Sequence, residues 1–394
     1  MTCRHFASTI PAQTEDLSPL QSEGACLSID LTAIQENWRL LADRVAPAQC
    51  SAVVKADGYG LGLTPVVRAL FSAGCRHFFV AYVSEGIQVR QVLKSMQGRD
   101  QAVIYVLNGF SPEMGGMFQG AHLRPVLGSH EELNEWVSFC HSLGERLPAA
   151  FHIDTGMNRH GFSEADIALL QSDVSWADSF SLALIMSHFI SSQECLSPRN
   201  ELQQAAFDLL RRKLPPAPAS LANSSGIFLP QKPYYDLVRP GYALYGGNPT
   251  PGEKNPMRPV ICLKARVISV HWVEAGSTVG YDGCWTADHA RRLCTLSIGY
   301  GDGYLRAAAQ TDMGQRLVLI QGKPCPCVGR ISMDMCVVDV THIEESAVKR
   351  GDFAVVIGDG LSMDDVGNQA GTIGYEILTH LGKRFYRTYL GREG

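Results

Sequence analysis

From Ser51 to about Gly247 the chain repeats one rhythm, a short apolar run followed by a segment whose apolar residues recur at helical spacing. The runs are Ser51–Val54, Phe78–Tyr82, Ala102–Leu107, Arg124–Leu127, Ala149–Asp154, Leu182–His188, Ser220–Asn223 and Tyr235–Val238. Strands joined through helices run parallel, because each helix carries the chain back to the starting edge. Thr64-Pro65 supplies a cap and first-turn proline for a helix over Val66–Ala73, which Gly74 stops. His130–Leu143 and Asn200–Lys213 are amphipathic and similarly bounded. Eight such units fit a closed (β/α)8 barrel of the TIM type better than an open sheet. Periodicity does not count closure, so a doubly wound sheet stays open as an alternative.

The rhythm stops at a joint rich in proline and glycine, from Gly247 to Pro256. Beyond it, Val260–Val273, Arg292–Ile298, Arg316–Ile320, Met335–Val340 and Phe353–Ile357 are β-branched and near-alternating, with glycine turns between them. That pattern suits a mostly antiparallel β domain, one face on a core and the other in water. A single late helix is expected over Asp364–Leu381, ending at Gly382. The expected organisation is an N-terminal arm over residues 1–22, read as disordered, a barrel over 23–255 and a C-terminal β domain over 256–394. A length of 394 residues agrees, being too long for one ordinary core and suited to two.

Charge and hydropathy narrow the function classes. A formal net charge of −5 gives no basic field, which argues against a dedicated binder of nucleic acid or of anionic membranes. The strongest apolar stretch, Ser181–Ile190, is interrupted by Ser187 and His188. It falls far short of the roughly 18–20 apolar residues of a membrane-spanning helix. With Glu15 and Asp16 near its start and no basic-then-apolar leader, the chain reads as cytoplasmic. Its 12 cysteines are scattered singly, and Cys325-Pro326-Cys327 without a second pair is a poor zinc signature. No metal is expected, and most cysteines read as small buried hydrophobes.

The first candidate for chemistry is Val54-Lys55-Ala-Asp-Gly-Tyr59-Gly60-Leu-Gly62. Lys55 stands at the carboxyl end of the first strand, the face on which barrel active sites lie. Apolar surroundings there lower an amine's pKa and free it as nucleophile or base. The glycines let backbone pass close to a ligand. The plainer alternative is a lysine that snorkels to water beside a glycine-rich turn.

Further segments follow in order: Asp154-Thr-Gly-Met-Asn-Arg159, Ser187-His188-Phe189, Ala222-Asn223-Ser224, Val238-Arg239-Pro-Gly241-Tyr242-Ala-Leu-Tyr-Gly246, Val279-Gly-Tyr281, Ser297-Ile-Gly-Tyr300-Gly-Asp-Gly-Tyr304, Gly329-Arg-Ile-Ser-Met333-Asp334 and Thr372-Ile-Gly-Tyr375-Glu376. With the lysine motif, they resemble the alanine racemase family over about residues 54–376. The family's fold, a barrel followed by a β domain, agrees with the pattern read above.

The resemblance implies pyridoxal 5'-phosphate as cofactor, with Lys55 bound to it covalently. Tyr59, Ser224, Tyr375 and the backbone around Gly241 and Tyr242 would hold its phosphate, and Asn223 would stand among the cofactor-binding residues. Arg159 would reach the phenolic oxygen and the substrate carboxylate, and Arg239 the pyridine nitrogen. His188 would lie close to the cofactor and connect Arg239 to a second base, Tyr281, supplied by the other subunit of a homodimer. Met333, through its backbone N–H, and Tyr300 would line the substrate side, also from that subunit. The implied activity interconverts L- and D-alanine by two acid/bases, Lys55 and Tyr281, and supplies D-alanine for peptidoglycan. Taken singly, the arginines read as surface ion-pairing residues, His188 as a structural histidine and the tyrosines as packed aromatics. Their order along the chain is what reverses this.

Two departures from the family pattern fall near the expected pocket. His152 stands where many relatives carry a lysine, often carbamylated, which leaves Arg159 to be oriented by a neutral hydrogen bond. Ser332 stands where a cysteine is common. A serine-tolerant or broad-specificity racemase is therefore the runner-up, because pocket shape discriminates a methylene by only about 1–3 kcal/mol. A decarboxylase of the same architecture would carry a Cys…Asp constellation in the β domain, which is not found. A cofactor carrier built from the barrel alone would lack the β domain.

Overall fold

The computed structural model describes residues 24–309 and 316–391, and the arm expected over 1–22 lies outside the described residues. Internal contacts divide the chain into two compact units. Among the described residues, one comprises Ile29–Ile261, Ile373–His380 and 389–391; the other comprises 24–28, Cys262–Thr372 and Leu381–Thr388.

The first unit contains the barrel. Its eight successive parallel strands are Gln49–Cys50 with Ala52–Val53, His77–Val80, Val103–Val106, Leu123–Leu127, Pro148–His152, Ser181–Met186, Ala219–Ser220 and Leu237–Val238. Neighbours register in parallel from Ala52↔Phe78 through Val80↔Val106 and Val126↔Ala150 to Ile185↔Ala219. The ring closes where Leu237 and Val238 pair with Gln49 and Cys50. On the other side of that last strand, the Arg239 amide donates to Ala222 O at 2.9 Å, and Asn223 bridges Arg239. Closure removes the open-sheet alternative. Phe78, Phe79, Val80, Ile104, Tyr105 and Val106 are all buried, without alternation, because both faces of these strands are covered. That is why the sequence shows runs here instead of a period of two.

The helices follow their local signals with small shifts, the one expected over Asn200–Lys213 running from Pro198 to Arg211 with the proline in its first turn. His130–Leu143 is capped by Ser129, whose hydroxyl accepts the Glu132 N–H at 3.3 Å, and stopped by left-handed Gly144. Leu63–Ala73 ends at Gly74 as expected but begins before Thr64, because the Asp57 carboxylate accepts the Leu63 N–H at 2.7 Å and caps the helix from the preceding turn.

The second unit is built on an eight-stranded sheet. Its order is Arg291–Leu296, Cys336–Asp339, Lys323–Val328, Leu317–Ile320, Phe353–Ile357, Ile261–Val273, Ala25–Asp30 and Tyr386–Leu390. The first six pair antiparallel, and Ile261–Val273 also pairs with Arg291–Leu296, so these six form a closed circuit. Lys323–Val328 is absent from the sequence reading because Pro324 and Pro326 argue against a strand. They are accommodated because the residues alternating with them carry the ladder, Cys325 in register with Val318 and Cys327 N–H donating to Arg316 O at 2.8 Å. The late helix is two helices, Met363–Gln369 and Gly374–His380, with Gly371 at φ +67° between them.

Candidate active site

The candidates of the first unit share one end of the barrel. Lys55, His152, Arg159, His188, Asn223, Ser224 and Arg239–Tyr242 all lie at or just beyond the carboxyl ends of their strands, where barrel loops build sites.

Lys55 opens an unusual turn. Ala56, Asp57, Gly58 and Tyr59 all have φ between +54° and +62°, a full left-handed turn. Each non-glycine residue in that conformation costs about 1–2 kcal/mol. Gly58 N–H to Val54 O at 3.0 Å, Gly60 N–H to Ala56 O at 2.7 Å and Gly62 N–H to Asp57 O at 2.8 Å hold it. Glu85 holds it from outside, its carboxylate accepting the Ala56 N–H at 2.6 Å. Lys55 is half-buried, and burial pushes its amine below the usual lysine range. The Arg159 cation adds to the shift and the Glu85 carboxylate opposes it.

A cradle of donors lies beside this turn. Ser224 Oγ accepts the amides of Gly241 at 3.0 Å and Ala243 at 3.2 Å, which leaves its own proton to donate elsewhere. A Cβ on Gly241 would sit 2.4 Å from the Tyr59 hydroxyl, so only glycine lets that hydroxyl approach. Burial raises Tyr59 above the usual phenol range and keeps it a neutral donor. Tyr375 stacks on Tyr242 with ring centroids 3.9 Å apart and lies 6.3 Å from the Tyr59 ring. Asn223 accepts from Ser192 Oγ of the preceding loop at 2.8 Å and from Gly226 N–H of its own at 2.8 Å.

Arg239 is 4% exposed, and its guanidinium donates to Ser220 Oγ, Ser187 O and Leu221 O. Burial brings its pKa down to about 9, which still leaves it charged at neutral pH. Burial, then the Arg239 and Arg159 cations, hold His188 well below the usual histidine range, with His152 and Lys55 adding to the effect. His152 is driven to about 3 by burial and by Arg239, His160 and Arg159, against a weaker pull from Asp154. Both imidazoles are therefore neutral beside the Arg239 and Arg159 cations. His152 lies buried at the end of its strand, and Arg159 stands exposed in the loop that follows. In that loop Asp154 accepts the Gly156 and Met157 amides.

Tyr281, Tyr300 and Met333 belong to the second unit and are exposed, Tyr281 at 67%. The Tyr300 and Gly301 amides donate to Ser332 O at 3.0 Å and Met333 O at 2.8 Å, which brings Tyr300 and Met333 together. Tyr281 sits in a turn whose Asp282 pairs with Arg330.

Sequence reasoning missed Glu85, Tyr245 and Gln203. The Tyr245 hydroxyl donates to Val53 O at 3.0 Å and its ring stacks on Tyr59. Gln203 donates to His188 O at 3.0 Å and to Thr155 Oγ1 at 3.1 Å. Only Glu85 carried a readable signal, an acid three residues past a helix N-cap, the position that reaches back to free amides.

Comparison with known proteins agrees with this geometry. Residues 29–249 match the family model for the alanine racemase N-terminal domain, and residues 260–389 match that for the C-terminal domain. The chain is 50% identical over 374 residues to an alanine racemase of Methylobacterium nodulans, covering 95% of this chain and 98% of that one. It is 44% identical over 368 residues to a catabolic alanine racemase of Mesorhizobium japonicum, covering 93% and 94%. An alanine racemase of Bartonella henselae with covalently bound pyridoxal phosphate superposes with a TM-score of 0.88 at 36% identity, over 93% of this chain and 99% of that one. A biosynthetic alanine racemase of Pseudomonas aeruginosa superposes at 0.85 and 32%, over 94% and 100%. With both domain models matched in order along a barrel and a β unit of the same kind, the chain belongs to the alanine racemase family of isomerases.

Proposed function

We propose that the protein is a pyridoxal-phosphate-dependent alanine racemase that interconverts L- and D-alanine in the cytoplasm and supplies D-alanine for peptidoglycan. The observation that carries this reading is the convergence of Lys55, Arg159, His188 and Arg239 at one barrel end, in a chain matched by both family models.

The donor set fits the cofactor. A phosphate calls for several neutral donors, and the hydroxyls of Tyr59, Tyr375 and Ser224 would supply them, Ser224 being aimed by the Gly241 and Ala243 amides it accepts and the Gly241–Tyr242 backbone framing the site. An aldehyde calls for an amine that is not locked in its charged form, which Lys55 provides. Arg239 supplies a fixed cation for the ring nitrogen, held by three oxygen acceptors. Bound pyridoxal phosphate supplies the electron sink that makes the α-proton of an amino acid removable.

The remaining chemistry is this chain's own. Arg159, exposed at the barrel mouth, receives the substrate carboxylate, with the Met333 N–H and Tyr300 of the other subunit of a homodimer lining the substrate side. Lys55 takes or returns a proton at Cα on one face, and Tyr281, contributed across a homodimer, does so on the other. Neutral His188 and His152 keep the charge around Lys55 from rising further. A racemisation assay over alanine, serine, lysine and arginine, with absorbance spectra before and after borohydride, tests the reading. D-alanine formation with loss of the visible band supports it. No D-product from any of the four overturns it.

A further inference from the structure

Glu85 has no part in the chemistry above, yet it touches the turn on which that chemistry depends. We propose that Glu85 is the positioning residue of Lys55: its carboxylate ties the turn carrying the amine to the neighbouring strand end and stands beside the amine as its counter-charge. The proposal rests on the reading of Lys55 as the reactive amine.

Three backbone donors converge on this one carboxylate. Oε1 accepts the Ala56 N–H at 2.6 Å, and Oε2 accepts the Ala81 and Tyr82 N–H groups at 2.8 and 3.1 Å. The donors come from the ends of two adjacent strands, Ala52–Val53 and His77–Val80, whose last link is Val54 N–H to Phe79 O at 2.9 Å. Bonds inside the left-handed turn use Gly58, Gly60 and Gly62 as donors, so the Ala56 amide at its start is taken up by Glu85. The charges that act on the amine come from Arg159 in the loop after Pro148–His152 and, opposing it, from the Glu85 carboxylate, which is bonded to the amide of the very next residue; His188 lies at the end of Ser181–Met186. Glutamine cannot substitute, because its single oxygen and NH2 group would set donors against donors. Removing the carboxylate thus frees the turn and leaves the amine facing Arg159 without a counter-charge.

The test uses the full-length chain freed of bound aldehyde by hydroxylamine, its fold checked by circular dichroism. Trace acylation with acetic anhydride across pH 7–11, read by peptide mass, gives the titration midpoint of Lys55, with the other lysines as internal standards. Hydrogen exchange of the 55–62 segment reads the turn. In Glu85→Gln the Lys55 midpoint falls by about one pH unit, and the segment exchanges at least about tenfold faster. Glu85→Asp keeps the charge but shortens the reach, so exchange rises while the midpoint moves little. A Glu85→Gln protein with wild-type midpoint and exchange overturns the proposal. So does a Glu85→Gln protein that fails to fold beside a folded Glu85→Asp whose segment exchanges like wild type. Failure of Lys55 to hold the cofactor would sink the functional reading instead, and this titration would still report.

Discussion

Tyr375 lies face to face with Tyr242, ring centroids 3.9 Å apart and planes within 12°, although one belongs to the last short helix and the other to the turn after the last barrel strand. This stack completes the donor cradle beside Tyr59. Tyr375→Ala removes ring and hydroxyl together and is expected to weaken cofactor binding roughly ten- to hundredfold. Tyr375→Phe keeps the ring and costs less than about tenfold. Fluorescence titration with pyridoxal phosphate measures both, and equal losses in the two variants would refute a role for the stack.

Lys55 is the lysine at the strand end beside Arg159 and Glu85. Borohydride reduction of the purified protein is expected to fix the cofactor there, as peptide mapping would read directly. Lys55→Ala should lose racemisation by at least about a hundredfold while still taking up cofactor through the phosphate cradle. Label on a different lysine contradicts the assignment.

His152 makes stability depend on pH. Its folded pKa of about 3 lies below the ordinary 6.5, so the unfolded chain binds the proton that the folded chain refuses. Its contribution is present above pH 6.5 and is lost as pH falls toward 3, with a slope of about 1.4 kcal/mol per pH unit. Urea unfolding at pH 5 and pH 7.5 should show the loss, and His152→Gln should reduce it by one proton's share, because His188 and His77 are depressed in the same direction and keep theirs. An unchanged slope in the variant would place the acid sensitivity elsewhere, with His77, held near 4 by burial and by Arg124, the next group to test. Because an imidazole forms no stable counterpart of a lysine carbamate, activity is also expected to be indifferent to added bicarbonate. A reproducible gain would show that a lysine has taken the role.

Lys55 and Tyr281 belong to different units, and the two-base reading makes each site composite. Lys55→Ala and Tyr281→Phe homodimers should each be nearly inactive. Unfolded and refolded together, about half of the dimers are hybrids with one doubly damaged and one intact site. The mixture is expected to regain about a quarter of wild-type activity per site. Hybrids confirmed by mass but without recovery would mean that Tyr281 does not serve a partner's site.

Much of the molecule was legible in the order of residues alone. Runs such as Phe78–Tyr82 announce strands covered on both faces, and Ser129 and Gly144 bracket their helix, because burial and capping act over a few residues and leave a local imprint. The motifs around Lys55, Arg159, His188 and Arg239 were likewise readable, each at a strand end. Tertiary structure decided what local signals cannot encode. Barrel closure rests on Leu237 and Val238 meeting Gln49 and Cys50. A proline-bearing strand survives at Lys323–Val328 because its neighbours leave those two nitrogens unused. Glu85 finds Ala56 because the backbone groups that face its side chain are set by the register of two strands distant in sequence. Periodicity records how deeply a residue is buried; which donor it meets there depends on the whole ring being closed.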